Sequence, residues 1–528
     1  MKKRVFLFNA LLLTGASLLA RTLSIGFRVS ISNKIGAEGI GLYQLICTVF
    51  LFAVTFSTAG VSLSVTRLVT DAMAQKRHCH IRDVLKKSFF LSLSLSLTAA
   101  GVLFFCSEQI AVFLLHDART ASSLRILAPS LPFMAVSSCF RGYFIAVRKV
   151  MGSVSEQLFE QVVNIVVTMV MIDRFSPYGL EYACCAVVIG TTVSELTSCG
   201  FSFLLYVRQR RKQRCAQQKQ PGSFKKIMGI TFPVTISSCL RSGLSAIENI
   251  LIPGGLRKSG ASPERALAGY GLLSGMVMPV ILFPSAFLSS FTTLLVPELS
   301  EANAMRHKKN ISYMTGRVLQ LTALFSILVM GVFFFFPDEL GRAVYRTAES
   351  GPYLRMLALL VPLMYLDSVV DGMLKGLGQQ MHSMAYNVVD SSLRVVMIYF
   401  LIPLMGIHGY IVVLYASEIF NFTLSLGRLM KVADLRPRLW SWIIKPLFCV
   451  ALPGFLLGNL SPLLAPYLSS DVARVVLAIS LTVLSYFALL RLTGSLRQED
   501  ITWMKEILSL GRRRKDNLPQ APHGQRAL

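Results

Sequence analysis

The sequence predicts an all-α integral membrane protein in which two parallel six-helix lobes are followed by two further transmembrane helices. Three observations predict this fold. Hydrophobic residues make up 53% of the 528 residues and charged residues only 15%, whereas soluble domains have about 25% charged residues. Apolar runs long enough to cross a bilayer recur along nearly the whole chain. Short patterns in the first half return in the second half in the same order.

The apolar runs predict the individual spans. A helix needs about 20 apolar residues to cross the hydrocarbon core, and about fourteen runs meet this length. They occupy residues 5–31, 39–69, 88–115, 121–147, 153–172, 178–206, 226–253, 267–297, 312–337, 352–378, 382–404, 407–428, 440–459 and 471–491. The basic start and apolar run at the N-terminus also resemble a signal peptide. We interpret this run as the first span, because it is long enough to cross and many similar runs follow.

The loops between the predicted spans alternate in charge. The formal net charge is +26, and the basic residues concentrate at the N-terminus, after even-numbered spans and at the C-terminus. Cytoplasmic loops carry such an excess of lysine and arginine. The alternation and the even number of spans therefore predict that both termini are cytoplasmic. The run GRRRK at 511–515 is then a segment lying on anionic membrane lipid rather than a nucleic-acid site.

An internal repeat divides the chain. PFMAVSSCFRG at 132–142 aligns with PLMYLDSVVDG at 362–372, and Ser194-Glu195 aligns with Ser417-Glu418 after a short deletion. Parallel repeats typically enclose a central cavity and rock between inward- and outward-open states, so the repeat favours a transporter. The predicted parts are an N-terminal lobe, a C-terminal lobe, two additional transmembrane helices, and a cytoplasmic amphipathic helix with a basic tail, at 1–225, 226–432, 433–493 and 494–528.

Arginines inside the predicted spans indicate an anion-binding cavity. An arginine at mid-bilayer depth costs about 2.5 to 3.5 kcal/mol on insertion scales, yet Arg21 and Arg28 lie two helical turns apart in the first span. Ser24 lies on the same helical face, so this face must contact protein or water. Arg67 and Arg241 add further positive charge in spans two and seven. Guanidinium groups can bind phosphate through two donors at once, so these arginines are candidate phosphate ligands. The alternative is that each arginine forms an ion pair with an acidic residue.

Polar residues in spans five and ten have two possible roles. They can bind a coupling ion or gate the cavity, or they can form internal ion pairs. The candidates for coupling or gating are Glu156, Glu160, Gln161, Asp367 and Asp371. The spacing of Asp367, Asp371 and Lys375 at four-residue intervals equally predicts an ion-pair ladder, and Asp390 is placed to pair with Arg394.

The sequence lacks the motifs of an enzyme. It has no glycine-rich phosphate loop with a lysine, no Ser/His/Asp arrangement and no metal-ligand cluster, and its ten cysteines include no CxxC pair. We therefore predict no enzymatic activity, no bound metal and no cofactor. Coupling to H⁺ or Na⁺ stays open.

Several segments resemble a known transporter family. They read ARTLSIGFRVSISNKIGAEGIGLYQL, GVSLSVTRLVTDA, FRGYFIAVRKV, SEQLFEQVVNI, YGLEYA and LVPELSEA. From about residue 5 to residue 490 the chain is similar to the polysaccharide-type branch of the multidrug/oligosaccharidyl-lipid/polysaccharide (MOP) exporter superfamily. The resemblance implies a V-shaped alternating-access carrier of the bacterial cell membrane. It implies flipping of an undecaprenyl-pyrophosphate-linked saccharide, with lipid II the leading candidate, for spore cortex or cell-wall peptidoglycan.

The resemblance also assigns roles to residues. In the related lipid II flippases, arginines of the first helices are important in the cavity, and Arg21, Arg28 and Arg67 occupy similar motif positions. Those flippases carry an arginine early in span eight, where this sequence reads AGYGLLSGM. Arg241 in span seven is the candidate replacement, and Asn164 stands where the family has a basic residue. The implied partners are the lipid-linked saccharide, membrane lipids and cell-wall synthases. A cation-coupled multidrug exporter and a non-transporting scaffold for cell-wall synthesis are the alternatives.

Overall fold

The structure is a computed structural model that describes residues 2–74, 78–147, 149–210, 223–435, 440–460 and 471–496. Within these ranges the regular secondary structure is entirely helical. The helices are α1 Lys2–Ala74, α2 His78–Phe105, α3 Ser107–Gln109, α4 Thr120–Leu127, α5 Ser130–Ala146, α6 Val150–Phe175, α7 Leu180–Arg210, α8 Ser223–Lys258, α9 Pro263–Tyr270, α10 Met278–Leu282, α11 Ser285–Ala304, α12 Lys308–Phe335, α13 Pro337–Tyr345, α14 Gly351–Ala358, α15 Val361–Gly376, α16 Gln380–Met405, α17 Ile407–Ala433, α18 Lys445–Leu460 and α19 Asp471–Leu492. Short π-helical turns lie at Ile110–Leu114, Gly271–Val277 and Trp440–Ile444.

The chain is a multi-pass membrane protein with the predicted fold class. Ten of the described helices are long and apolar enough to cross a membrane, or twelve if each of two bent helix pairs is one span. This count takes α1 as one helix, although α1 covers the first two predicted spans. It also leaves out α6, which covers the fifth predicted span and contains two glutamates. Counting α1 as two spans and adding α6 raises the twelve to fourteen, the number in two six-helix lobes and two additional helices.

A single glycine divides α1 into two limbs. Gly36 has φ 70° and ψ −179°, whereas the residues on both sides are helical. This backbone conformation is essentially restricted to glycine. The predicted spans one and two leave residues 32–38 between them as a short loop. The structure replaces this loop with one non-helical residue, because glycine turns the chain without interrupting the helix on either side.

Equivalent helices of the two lobes share their lengths and their bends. Helices α6 and α16 begin 230 residues apart and also end 230 residues apart. The pair α4–α5 is bent by 42° and the pair α14–α15 by 55°. These pairs form the fourth span of each lobe, and both contain one segment of the aligned repeat. The repeat inferred from short sequence patterns therefore corresponds to a repeat in helix geometry.

The last two described helices pack beside the second lobe. Helix α18 contacts α12 and α19, and α19 also contacts α13. The hydroxyl of Tyr486 in α19 donates to the backbone oxygen of Leu324 in α12 at 2.9 Å. The predicted interfacial helix and basic tail lie mostly at residues 497–528, outside the described residues.

Candidate substrate cavity

A cavity of about 580 Å³ lies between the second limb of α1 and helix α8. Helix α9 and the π-helical turn that follows it form a third wall. The lining residues are Gln44, Cys47, Thr48, Leu51, Thr55, Ser238, Arg241, Ser242, Ser245, Ala246, Asn249, Tyr270 and Ser274. Arg241 is the one charged side chain in this lining. Within the described part of the chain, the cavity is therefore polar and positively charged.

Helix α8 presents a polar face to the cavity. Ser238, Ser242, Ser245 and Asn249 are separated by four, three and four residues, a spacing that places them on one helical face. The Asn249 side chain donates to the Ser245 backbone oxygen at 2.9 Å and accepts a hydrogen bond from the Tyr270 hydroxyl at 3.0 Å. These bonds hold the Asn249 amide in one orientation before any ligand binds.

Two glycines allow the lobes to touch at one end of the cavity. A methyl group added to Gly41 in α1 would lie 2.1 Å from the backbone oxygen of Leu267 in α9. A methyl group added to Gly271 would lie 2.0 Å from the backbone oxygen of Ala37. Real carbon atoms never come this close, so the contact exists only because both positions lack a side chain. Backbone therefore packs directly against backbone where the lobes meet.

Small residues close the opposite end of the cavity. The hydroxyl groups of Ser64 in α1 and Thr231 in α8 are 2.7 Å apart. A methyl group added to Gly60 would lie 2.3 Å from the backbone oxygen of Thr231. Between the two ends, the Thr55 hydroxyl donates to the Ser242 hydroxyl at 3.4 Å. The two lobes are thus in contact on both sides of the cavity, through α9 at one end and through α8 at the other.

Charged residues reinforce the end that is closed by glycine. Arg119, just before α4, contacts Glu38 at 2.9 Å and Asp117 at 2.8 Å. The hydrogen bonds to these carboxylates raise the pKa of Arg119 well above its usual range. Across the lobe boundary, Arg257 of α8 donates to the backbone oxygen of His116 at 3.0 Å. The lobes are therefore joined here by a charge-assisted hydrogen bond as well as by the glycine contact.

The bend at Gly36 brings Arg28 back toward the cavity. In a straight helix, Arg28 and Cys47 would be about 28 Å apart along the axis. In the structure, Arg28 is close enough to Tyr43 and Cys47 to act on both electrostatically. Cys47 lines the cavity that contains Arg241. Arg28 is not among the lining residues, so it lies beside the part of the cavity wall that Cys47 forms rather than in the lining that contains Arg241.

The other candidate residues lie farther from this cavity. Arg21 is exposed on the first limb of α1, and the Ser24 hydroxyl donates to the Ala20 backbone oxygen at 2.8 Å. Arg67 is exposed on the second limb, beyond Ser64, and does not line the cavity. Among the described residues, Arg21, Arg28, Arg67 and Arg241 form no ion pair with a carboxylate. The alternative in which each arginine pairs with an acid therefore does not hold within the described ranges.

Comparison with known proteins identifies the family. The profile of the family described as polysaccharide biosynthesis protein matches residues 6–303, more than half of the chain. The chain belongs to this family. A second profile, MatE, matches residues 233–400.

Relatives of this family member are found among both sequences and structures. Stage V sporulation protein B of Bacillus subtilis (strain 168) is 27% identical over 444 residues, which cover 82% of this chain and 85% of the relative. The structure of the lipid II flippase MurJ in its inward closed conformation matches with a TM-score of 0.68. This match has 14% identity and covers 94% of this chain and all of MurJ.

A multidrug resistance MATE family transporter of the MOP superfamily matches in its inward-facing conformation with a TM-score of 0.59. The match has 14% identity and covers 79% of this chain and 96% of that transporter. The structural matches have low identity and establish the fold alone. Together with the family profile, they confirm the MOP-type fold that the sequence segments indicated.

In this member of the polysaccharide biosynthesis protein family, an arginine links three helices of the second lobe. Arg394 of α16 contacts Asp390 at 2.8 Å, as predicted, and also contacts Glu248 of α8 at 3.3 Å. It donates to the Ser417 hydroxyl of α17 at 3.0 Å, and this hydroxyl donates to Asp390 at 2.5 Å. The partners of Arg394 thus come from α8, α16 and α17.

The candidate coupling residues of α15 differ from the predicted ladder. Asp371 pairs with Lys375 at 2.5 Å, as expected for a spacing of four residues. It also accepts a hydrogen bond from Ser383. Asp367 is not part of this ladder, because the Asn421 amide of α17 donates to it at 3.0 Å instead. The ladder prediction is therefore correct for Asp371 and wrong for Asp367, which turns toward the neighbouring helix.

The candidate coupling residues of α6 lie in the first lobe, away from the cavity lining. Glu156 is fully buried, accepts a hydrogen bond from Ser198 at 2.9 Å and lies 3.9 Å from Arg141. Glu160 and Gln161 are partly exposed one turn farther along the helix.

Most of the cavity lining was not predicted from the sequence. Arg241 was predicted, but the serines and Asn249 on the same helix were not. Their regular spacing of three and four residues was a detectable signal, because it marks a polar face in an otherwise apolar span. Thr48 and Thr55 on α1 gave a weaker signal, since isolated hydroxyl residues in a membrane helix commonly bond to their own backbone. The Thr48 hydroxyl does so, donating to the Gln44 backbone oxygen at 2.8 Å.

Proposed function

We propose that this protein flips an undecaprenyl-pyrophosphate-linked saccharide, with lipid II as the leading candidate, by alternating access. The observation that carries the proposal is the polar cavity between the lobes, whose one charged lining residue is the unpaired Arg241. An unpaired arginine inside a membrane protein is costly, and the cost is offset when an anion binds. Arg28, brought near by the bend at Gly36, supplies a second guanidinium group.

The cavity suits a phosphate-containing headgroup. Its volume lies within the range of about 300 to 1,000 Å³ that is typical of small-molecule sites. Guanidinium groups bind phosphate oxygens with parallel donors, and the surrounding hydroxyl and amide groups can bind sugar hydroxyls. In this proposal, the prenyl tail stays in the lipid while the headgroup enters the cavity. Arg21, Ser24 and Arg67 then attract or guide the headgroup along α1.

Relatives support the same reading. The related structure MurJ is named a lipid II flippase, and the related sequence is named for sporulation. We accordingly propose a role in spore cortex or cell-wall synthesis at the bacterial cell membrane, with both termini cytoplasmic. Cell-wall synthases are proposed partners, and the lobe boundaries at 225 and 432 are proposed as predicted. The multidrug alternative needs an acidic cavity for cationic substrates, and no acidic side chain belongs to the described lining.

The test measures outward exposure of lipid II in a strain whose essential flippase can be switched off. The variants Arg28→Ala and Arg241→Ala are compared with Arg174→Ala, which removes an exposed arginine at the end of α6. A charge-assisted hydrogen bond is worth about 1.5 to 3 kcal/mol, so each cavity variant should lower the flipping rate by about 10- to 150-fold. The Arg174 variant should match the wild type.

Membrane abundance is measured in parallel. Loss of exposure together with loss of abundance would mark the arginines as structural. Wild-type protein that is abundant in the membrane but exposes no lipid II would refute lipid II as the substrate. Increased drug tolerance in that strain would then favour the multidrug alternative. Association with cell-wall synthases that survives loss of both arginines would favour the scaffold.

A further inference from the structure

Three glutamates meet inside the first lobe with one arginine. Glu156 of α6 and Glu195 of α7 are 0% and 2% exposed, and Glu160 lies one turn after Glu156. Arg141 of α5 acts electrostatically on all three carboxyl groups. Its closest approach is 3.9 Å, to Glu156. One positive charge therefore faces three acidic groups, two of which are buried.

The carboxyl oxygens of this cluster are incompletely bonded. One oxygen each of Glu156, Glu160 and Glu195 is buried and has no hydrogen-bond partner within the described residues. Helices α6 and α7 pack closely against each other in opposite directions, and the hydrogen bond from Ser198 to Glu156 fixes their alignment. This alignment places Glu195, one turn before Ser198, beside Glu160, one turn after Glu156. Two ionised carboxylates are both acceptors and cannot bond to each other. A contact of this kind requires a proton on one of them.

The second lobe contains an arginine beside the acid that corresponds to Glu160, and the first lobe lacks this arginine. At the repeat offset of 230 residues, Glu160 of α6 corresponds to Asp390 of α16. Asp390 is neutralised by Arg394, four residues later, at 2.8 Å. The residue that corresponds to Arg394 in the first lobe is Asn164, which carries no charge. Glu160 therefore lacks the cation of its counterpart and faces the carboxyl group of Glu195 instead.

We propose that Glu160 and Glu195 hold one proton between them, and that this contact between α6 and α7 is a proton-binding site of the transporter. A metal ion suits this site less well than a proton does. In the described ranges, no three acidic, histidine or cysteine side chains are arranged to hold a metal ion. The other groups that face the site are Arg141 from α5, Glu156 from α6 and Cys199 from α7. Lys34 of α1 pairs with Asp173 at the far end of α6.

Release of the proton has a mechanical consequence. With one proton bound, the three glutamates carry two negative charges against Arg141. Without it they carry three, and the two facing carboxylates repel each other in a medium of low dielectric constant. Separation of α6 from α7, or entry of water between them, relieves this repulsion. Proton release is thereby linked to a movement within the first lobe, and the link to transport rests on the proposed function.

Infrared difference spectroscopy of the purified full-length protein tests the proton site without a transport assay. At pH 7, the wild type should show a carbonyl band of a protonated carboxylic acid that is absent from both Glu160→Gln and Glu195→Gln. Glu181→Gln is the matched control on α7, because Glu181 accepts a hydrogen bond from Ser122 and lies outside the cluster. This variant should keep the band.

Two results would overturn the proposal. One is a wild-type spectrum at pH 7 with no protonated carboxyl band, a result that needs no variant to fold. The other is a band that persists in both folded glutamine variants. Glu156→Gln provides a further check, since it should disturb the contact with Arg141 but keep the band.

A transport measurement then tests the link to movement. The rate of lipid II exposure should change with external pH in the wild type. It should be independent of pH in the Glu160→Gln/Glu195→Gln double variant, which holds the pair uncharged. A proton band without any lipid II transport would refute only the proposed function. Transport without the band would refute only the proton site, and an equal pH dependence in both proteins would refute the link.

Discussion

Replacement of Gly41 by alanine should destabilise the conformation in which the lobes touch. The added methyl group would lie 2.1 Å from the Leu267 backbone oxygen and 3.0 Å from its carbonyl carbon. These atoms belong to the backbone and cannot rotate away. Overpacking of this kind costs about 1 to 3 kcal/mol, which changes the ratio of closed to open molecules by about 5- to 150-fold. The helices themselves should remain intact, because alanine is a better helix former than glycine.

The assay measures the distance between two spectroscopic labels in the protein reconstituted into lipid nanodiscs. One label replaces Ala118 before α4, and the other replaces Arg265 in α9. Both positions are exposed and lie at the glycine-closed end of the cavity. The matched control is Gly101→Ala in α2, where an added methyl group meets no atom within 4 Å. Gly41→Ala should shift the distribution to longer distances, and Gly101→Ala should leave it unchanged.

Transport should likewise be affected by Gly41→Ala and not by Gly101→Ala. A protein that rarely closes this end completes its cycle rarely, so Gly41→Ala should slow flipping while membrane abundance stays constant. If Gly41→Ala and Gly101→Ala gave the same distances and the same transport rate, the glycine contact would not be what closes the cavity. A loss of folded protein in Gly41→Ala alone would instead show that the contact is needed to assemble the lobes.

Other predictions concern the charged contacts. Arg394→Met should lower the free energy of unfolding by about 3 to 5 kcal/mol, because it leaves Asp390 and Glu248 buried without a cation. Thermal unfolding in detergent measures this loss. The control is Lys375→Met, which removes a half-exposed ion pair and should cost about 0 to 1 kcal/mol. Equal losses in the two variants would refute the stabilising role of the Arg394 network. Arg257→Gln should weaken the contact with His116 and populate the open state in the label assay, and an unchanged distance distribution would argue against it.

The sequence predicted the features that depend on neighbouring residues. Helical runs follow from local hydropathy, and the pair between Asp390 and Arg394 follows from a spacing of four residues on one helix. The break between spans one and two lies in the predicted gap between them, but the form of the break was not predicted. The sequence around a glycine is the same whether the glycine continues a helix or begins a loop. The difference lies in its φ angle, which composition does not report.

Contacts between distant residues could not be predicted in the same way. Glu248 and Arg394 are 146 residues apart in sequence, and their pairing depends on how α8 packs against α16. The same holds for Glu160 and Glu195, which lie in different predicted spans. Their contact depends on the rotation of α6 against α7, a quantity that many apolar side chains determine together. The internal repeat was the one long-range signal used. It identifies which residues correspond in the two lobes, but not which residues are in contact.

Gly36 is placed as a hinge between the two limbs of α1. A single residue connects the limb that bears Arg21 and Arg28 to the limb that packs against α8, and an added Cβ at Gly36 would meet no atom within 4 Å. The direction of the first limb relative to the second is therefore set by two backbone angles at one residue. In the proposed function, a change in these two angles would move Arg21 and Arg28 relative to the cavity wall, with Gly36 as the pivot.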